Sequence, residues 1–410
     1  MLFDDFELDP RLQQNVRRMG FEQPTPIQSA TIPPALDGRD ILGSAETGTG
    51  KTAAFLLPLL HRLIHSPRTH GPRALVLVPT RELALQVTDH ALQLGQDLPV
   101  RSVAIYGGVG DAPQVQALKG GVDLVIATPG RLLDHLARRN VAFASLQVFV
   151  LDEADRMMDI GFLPDIRRIV RLLPRDRQSM LFSATLQPIL DLAGEMTRQP
   201  VRVEVETAAT PDAITQALYP VPEHLKFDLL QCLLTDTSLD RVLLFTRTKH
   251  RADRMVRNLR RANIPAAVIH GNRSQGQRVA ALEAFRRGAT RVLVATDVAA
   301  RGIDVESISH VVNYDVPGQP EDYVHRIGRT GRAHAIGQAV TLVTPPDERM
   351  VHRIEAILGY KIQRRRVDGL DYGVLAAHKP NAEEIRRYVE INRRSPVLVS
   401  ATVAPNRRLR

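Results

Sequence analysis

An α/β fold of two doubly wound parallel sheets in tandem is predicted by three observations. Short apolar runs alternate with amphipathic helical patterns along the chain, the signature of βαβ units. The alternation comes as two series, separated by the small, polar, proline-containing stretch ETAATPDA at residues 206–213. Many of the runs end in Gly, Thr or Asp, at the carboxyl edge where open α/β sheets bind ligands. The expected organisation is a first domain over residues 1–206, a linker over 207–213, a second domain over 214–360 and a short basic extension over 361–410.

The bulk properties narrow the function. A hydrophobic content of 44% supplies ample core, and no stretch approaches the roughly 18–20 apolar residues of a membrane span. The first ten residues, MLFDDFELDP, are acidic and lack the basic-then-apolar order of a signal peptide. Cys232 is the only cysteine, which excludes an internal disulfide and a cysteine metal site and points to a reducing cytoplasm. The net charge is +9, and residues 361–410 hold twelve Lys/Arg against five Asp/Glu. A nearly neutral body with a basic appendage suggests a polyanionic partner.

In chain order, residues 3–20 predict a helical start. GFEQPTPIQ (20–28) interrupts it with Pro24 and Pro26 and carries Phe21 and Gln28. An aromatic ring can stack on a base and a glutamine amide can pair with an adenine edge; a capped helix start is the plainer alternative. Next, a short strand leads through AETGTGKT (45–52) into an apolar helix, close to the phosphate-loop pattern GxxxxGK[ST], with Ala45 in the place of the first glycine. Gly48 and Gly50 would let backbone amides face a phosphate at the helix N-terminus. Lys51 would reach the β- and γ-phosphates of the nucleotide, and the Thr52 hydroxyl would ligate Mg²⁺. Glu46, Thr47 and Thr49 complete the loop.

Further strands are expected at 74–80, 100–108, 122–131, 148–151 and 178–185. The fourth, VFVL, ends in Asp152 and Glu153, then Ala154 and Asp155. A strand-end acid pair can hold hydrated Mg²⁺ through one carboxylate and orient a water through the other; an acidic helix cap is the plainer reading. Pro79, Thr80 and Arg81, Gly107 and Gly108, and Thr128 and Arg131 stand at other strand ends, where they can meet a phosphodiester backbone or form ordinary turns.

The second series has no phosphate loop. Its strands are expected at 217–222, 241–248, 266–274, 290–297, 308–315 and 338–344, with a closing helix over 345–360 and a further helix at 381–394. Gly271, Gln275, Arg278, Thr296 and Asp304 stand near strand ends. In HRIGRTGR, Arg326, Arg329 and Arg332 recur every three residues, a spacing that suits guanidinium contacts to a γ-phosphate or a solvated basic helix end.

Together, Gln28 in GFEQPTPIQ, then AETGTGKT, PTREL, GG, TPGR, DEAD, SAT, FTRT, SQGQR, ATDVAARGID and HRIGRTGR resemble the DEAD-box ATP-dependent RNA helicases across nearly all of residues 1–360. The wording IHGNRSQGQRVAALEAF looks like the bacterial RhlE-like branch. The resemblance implies two RecA-like domains, with ATP and Mg²⁺ as cofactors and RNA as partner. It implies that Phe21 stacks on adenine and Gln28 reads its edge. It implies that residues 45–52, above all Lys51 and Thr52, hold phosphates and Mg²⁺, that Asp152 binds Mg²⁺ and that Glu153 handles the attacking water. Asp304 would contact the ribose side, with Arg329 and Arg332 as arginine fingers. Ser183, Thr185, Asp155 and His325 would couple ATP hydrolysis to strand separation. RNA contacts would fall on Pro79, Thr80, Arg81, Gly108, Thr128, Arg131, Gly271, Gln275, Arg278 and Thr296. The partners implied are single-stranded and short duplex RNA, with ribosomal precursors or RNA-decay proteins beyond it, and a monomer is expected. An ATP-timed RNA clamp with little unwinding and a translocating DNA helicase are the competing readings.

Overall fold

The computed structural model describes residues 2–45, 48–205, 214–235, 239–300, 308–331, 337–367 and 370–372, without the side chains of Pro188, Val298 and Ala300. The chain forms two compact units, Met1–Thr207 and Ala208–Arg410.

The first unit runs α1 (Pro10–Arg18), α2 (Pro26–Leu36), β1 (Ile41–Ser44), α3 (Lys51–His65), β2 (Ala74–Leu77), α4 (Arg81–Leu94), β3 (Ser102–Ile105) and α5 (Ala112–Lys119). It continues with β4 (Leu124–Ala127), α6 (Pro129–Ala137), β5 (Val148–Leu151), α7 (Ala154–Asp159), α8 (Leu163–Val170), β6 (Gln178–Ser183), α9 (Leu190–Met196) and β7 (Val201–Glu204). The strand order is β3-β4-β2-β5-β6-β1-β7, and the described strands pair in parallel, as helical crossovers require. Both sheet faces are covered, so the strands are apolar on both sides. Ile41, Val76, Val150 and Phe182 enter one core layer, while Leu42, Leu77, Leu151 and Leu181 enter the other. Gly43 makes room in this packing, because a Cβ there would meet the Phe182 ring at 2.7 Å.

The second unit repeats the plan. It runs β8 (Ile214–Pro220), α10 (Lys226–Thr235), β9 (Val242–Phe245), α11 (Lys249–Arg261), β10 (Ala266–Ile269), α12 (Gln275–Arg286), β11 (Val292–Ala295) and α13 (Asp297–Ala300). β12 (His310–Asn313), α14 (Pro320–Ile327), β13 (Gly337–Val343), α15 (Glu348–Leu358) and β14 (Gln363–Arg364) follow. Its parallel order is β10-β11-β9-β12-β13-β8-β14.

Three local expectations change. The helical start over 3–20 is a 3₁₀ turn at Phe3–Asp5 followed by α1. Asp9 imposes the break by accepting the Arg11 N–H at 3.0 Å, with Pro10 at the first helical position. The closing helix is likewise a 3₁₀ turn at Pro345–Asp347 and then α15. β7 and β14 were not anticipated, because both are edge strands with exposed residues and carry little apolar signal. The expected linker and the helix at 381–394 lie outside the described residues. Among the described residues no helix is long and apolar enough to cross a membrane.

Candidate nucleotide site and nucleic-acid interface

In the first sheet β1, β6 and β5 are neighbours, in register at Ser44–Ser183 and Leu151–Leu181. Their carboxyl ends therefore deliver the phosphate loop, the Ser183–Thr185 turn and the acid pair side by side. Gly48 and Gly50 have φ of 88° and 92°, which L side chains rarely adopt. Gly50 caps α3, and Lys51 begins it. Lys51 is buried, and its Nζ donates to the Ala45 carbonyl at 2.6 Å across the loop. Thr49 and Thr52 are half-buried beside it. Glu46 and Thr47 lie outside the described residues.

The glutamine motif is tied directly to this loop. Gln28 is buried at the third position of a capping box that starts α2, so the capped-helix reading holds. Its Oε1 accepts the Thr25 N–H at 2.9 Å, and its Nε2 donates to the Gly50 carbonyl at 3.1 Å. A Cβ on residue 50 would stand 2.4 Å from that Nε2. Phe21 is half-buried and stacks on Phe3 with centroids 5.9 Å apart.

At the end of β5, Asp152 and Glu153 are both buried. Burial pushes the Asp152 carboxyl up to about 7; Lys51 pulls it down, Glu153 and Asp155 push it up, and the Glu153 N–H, donating to Oδ1 at 2.9 Å, stabilises the charged form. Glu153 takes a left-handed backbone, φ 53°, so the chain turns sharply from strand to helix. Its Oε2 accepts from Arg156 Nη1 at 2.7 Å, one helical turn on. Sequence reasoning passed over Arg156; the signal was its i,i+3 spacing from Glu153 at a helix start. Asp155 faces the neighbouring strand end: its Oδ2 accepts the Ala184 and Thr185 N–H groups at 3.0 and 3.3 Å and the Thr185 hydroxyl at 3.4 Å. The Thr185 N–H also reaches Ser183 Oγ at 3.4 Å. Asp155, Ser183 and Thr185 thus form one network.

A basic surface stands at other strand ends of the first unit. Thr80 caps α4 and Thr128 precedes α6. The Arg81 guanidinium lies directly over Gly108, φ 81°, so a Cβ there would displace it. Arg131 Nη2 donates to the Val109 carbonyl at 3.2 Å. Arg81, Gly108 and Arg131 are therefore together, with Pro79 buried at the strand end beside them in sequence.

In the second unit Ser274 caps α12, and Gln275 and Arg278 are buried along its first turn. Gly271 is exposed, and Thr296 follows β11. The three arginines of HRIGRTGR part company. Arg326 is buried and engaged: it grips Asp297 at 2.5 and 2.8 Å, donates to Asn313 Oδ1 and the Asp315 carbonyl, and lies over the Phe245 ring. The expectation that it could reach a phosphate is corrected, because four of its five N–H donors are spent inside its own unit. Arg329 is buried with Nε on the His325 carbonyl at 3.3 Å, and His325 is half-buried. Arg332 and Asp304 lie outside the described residues.

Residues 25–192 match the family described as DEAD/DEAH box helicase, and residues 225–334 match the helicase conserved C-terminal domain. The chain is 43% identical over 392 residues to the DEAD-box ATP-dependent RNA helicase CshA of Bacillus licheniformis, covering 95% of this chain and 80% of that one. It is 42% identical to CshA of Bacillus subtilis, covering 95% and 79%. Among solved structures it is similar to Saccharomyces cerevisiae Dbp5 bound to RNA and ADP BeF3, with TM-score 0.81, 31% identity and coverage of 94% and 99%. It is also similar to a DEAD box protein from Methanococcus jannaschii, with TM-score 0.53, 36% identity and coverage of 89% and 99%. Both units are RecA-like domains, and the chain belongs to the DEAD-box ATP-dependent RNA helicases.

Proposed function

We propose that the chain hydrolyses ATP at the end of β1, β5 and β6 and couples that step to RNA held by both of its domains. The observation that carries this reading is the network joining Asp155, two residues beyond Glu153 in the same turn, to Ser183 and Thr185. A change at the γ-phosphate that moves this turn would reach the neighbouring strand end through Asp155.

In this reading Lys51 leaves the Ala45 carbonyl for the β- and γ-phosphates, and the amides around Gly48 and Gly50 bind phosphate oxygens. Phe21 and Gln28 hold the adenine. The residues also fit Mg²⁺. No group of three or more His, Cys, Asp or Glu able to hold a metal exists among the described residues, so an ion here needs the nucleotide's phosphates as further ligands, which is how Mg²⁺ is usually held. Asp152 and Thr52 would hold it, and when bound it neutralises charge developing on the phosphates. Asp152, pushed towards its acid form by burial, would regain its charge beside a cation. Glu153 orients and deprotonates the attacking water. Arg329 and Arg332 supply guanidinium charge to the same γ-phosphate from the second domain, and Asp304 meets the ribose.

RNA is held on Pro79, Thr80, Arg81, Gly108, Thr128 and Arg131 of the first domain and on Gly271, Gln275, Arg278 and Thr296 of the second. These are groups suited to phosphate and sugar, so little base specificity follows. ATP and RNA then favour the same closed state, and linkage makes their binding cooperative. His325 joins the coupling network in that state. Dbp5, a similar protein, has been seen with RNA and ADP BeF3 together, which supports this pairing of ligands. Within the family, the wording of residues 269–285 suits the RhlE-like branch, whereas the relatives above carry the name CshA; the chemistry proposed is common to both.

The test is Glu153→Gln. It should lower RNA-stimulated kcat by about 10²–10⁴-fold, as loss of a general base does, and retain RNA in an ATP-dependent complex. Hydrolysis at the parent rate would remove Glu153 from the mechanism. Separation of short duplexes, measured beside ATPase, distinguishes a helicase from an ATP-timed clamp.

A further inference from the structure

The first sheet has a second edge. At the amino-terminal ends of β1, β5, β6 and β7, opposite the phosphate loop, lies a cleft of about 520 Å³. Its walls carry four guanidinium groups, Arg39, Arg62, Arg177 and Arg198, against two carboxylates, Asp40 and Asp176.

The carboxylates offset only part of this charge. Asp40 is buried and spent on backbone: its Oδ1 accepts the Ser179 N–H and its Oδ2 accepts the Arg198 N–H, both at 2.7 Å. Asp176 is fully exposed, and its Oδ1 is 3.9 Å from Arg198 Nη1, a contact worth little in water.

Three of the four arginines are positioned by neutral groups. Arg62 Nη1 donates to Gln178 Oε1 at 3.3 Å, and that buried amide is fixed in turn by the Ala35 and Arg39 carbonyls at 2.8 Å each. Gly38, φ 79°, yields the space for Arg62, because a Cβ there would stand 2.7 Å from Nη2. Arg177 Nη1 donates to the Pro174 carbonyl at 2.5 Å and the guanidinium lies over Phe149, yet its Nε is buried with no hydrogen-bond partner among the described residues. Arg198 Nη2 donates to the Arg175 carbonyl at 2.5 Å. Each guanidinium has five donors and spends only some of them on the fold. Burial lowers the Arg177 pKa, with Asp40 opposing and Arg198 adding to the fall. Held cations, surplus donors and too little negative charge describe a receptor for an anion.

We propose that this cleft is a second anion site, separate from the phosphate loop, which takes a compact ligand bearing several phosphate charges. The volume lies in the usual range for small-ligand sites, and a concave cluster suits a polyphosphate better than an extended strand. The site goes beyond the ATPase reading and does not depend on it. Arg39, Asp40 and Gln178 adjoin the first residues of β1 and β6, whose far ends lead into the phosphate loop and the Ser183 turn. The two sites are thus separated by the length of a four-residue strand, about 13 Å.

The test is calorimetric titration of the full chain with sodium tripolyphosphate at saturating ADP, so that the phosphate loop is already filled. One further binding equivalent is expected. Arg39→Gln/Arg198→Gln changes two exposed side chains and should keep the parent melting temperature while weakening that equivalent at least tenfold. Arg62→Lys keeps the charge but loses the planar fork, and should weaken it by less. Absence of binding at saturating ADP, or unchanged affinity in the double variant, would overturn the site. If the double variant instead weakened only single-stranded RNA, the compact ligand would be wrong and the surface would belong to RNA.

Discussion

Arg156 Nη1 lies 2.7 Å from Glu153 Oε2, with both side chains less than a tenth exposed. The acid assigned to the attacking water is therefore held in a buried ion pair that begins one turn further along the same helix. A buried pair adds little net stability, but removing one partner leaves an uncompensated charge and costs about 3–5 kcal/mol. Arg156→Gln should accordingly lower the unfolding free energy by about that much and reduce kcat as Glu153 loses its orientation. Glu153→Gln/Arg156→Gln, which removes both charges, should recover much of the stability and none of the activity. Equal unfolding free energies for the single and double variants would show that the pair does not matter to the fold.

Gly50→Ala tests the bond between the glutamine motif and the phosphate loop. The new methyl would collide with Gln28 at 2.4 Å in a backbone with φ 92°. ATP affinity should fall at least tenfold, and so should the affinity of Gln28→Ala, which loses the helix cap and the contact to Gly50. Unchanged nucleotide titrations in Gln28→Ala would show that the contact is incidental.

His61 gives the first domain an acid-sensitive joint. The Asp9 N–H donates to His61 Nδ1 at 3.1 Å, which requires a lone pair on that nitrogen. Burial lowers the His61 pKa from 6.5, His65 lowers it further and Asp9 opposes. A depressed histidine contributes its stability fully above the unfolded value, and the contribution is lost as pH falls from about 6.5 through the folded pKa. His61→Gln should therefore narrow the difference between melting temperatures at pH 7.5 and pH 5.5. A difference as wide as the parent's would place the acid sensitivity elsewhere.

The extension over 361–410, with its net charge of +7, should hold RNA without sequence preference and raise its concentration near the helicase domains. Truncation after residue 372, which keeps β14 and the buried Ile362, should weaken RNA binding and flatten its salt dependence while sparing unstimulated ATPase. An unchanged salt slope would mean that the extension does not touch RNA.

The parallel sheets were legible because strands buried on both faces write themselves as short apolar runs, as VFVL at 148–151 does. The phosphate loop was legible because its glycines and lysine serve one purpose in adjacent positions. Spacing was a poor guide where tertiary partners decide. Arg326 and Arg329 read alike, yet Asp297, Asn313 and the Asp315 carbonyl, brought in by other elements, take four of the five donors of Arg326. Arg156 depends on the left-handed turn at Glu153, which no propensity marks. The arginine cleft gathers residues spread from 38 to 199, and no local pattern can announce it.

In the proposed nucleotide site, the fixing of Gln28 would also bear on which base is accepted. A side-chain amide can ordinarily turn over, exchanging oxygen for nitrogen. Here the Thr25 N–H demands the oxygen on one side and the Gly50 carbonyl demands the nitrogen on the other. One acceptor lone pair and one N–H remain, in a fixed order. That order complements an adenine's amino group and N7, whereas guanine offers acceptors at both places. Guanine would set the amide oxygen against O6, and turning the amide over would only move the clash to N7 while breaking both anchors, at about 1 kcal/mol each. The start of α2 thus locks the orientation of one amide, and in the proposed site that lock would carry the selectivity for the base.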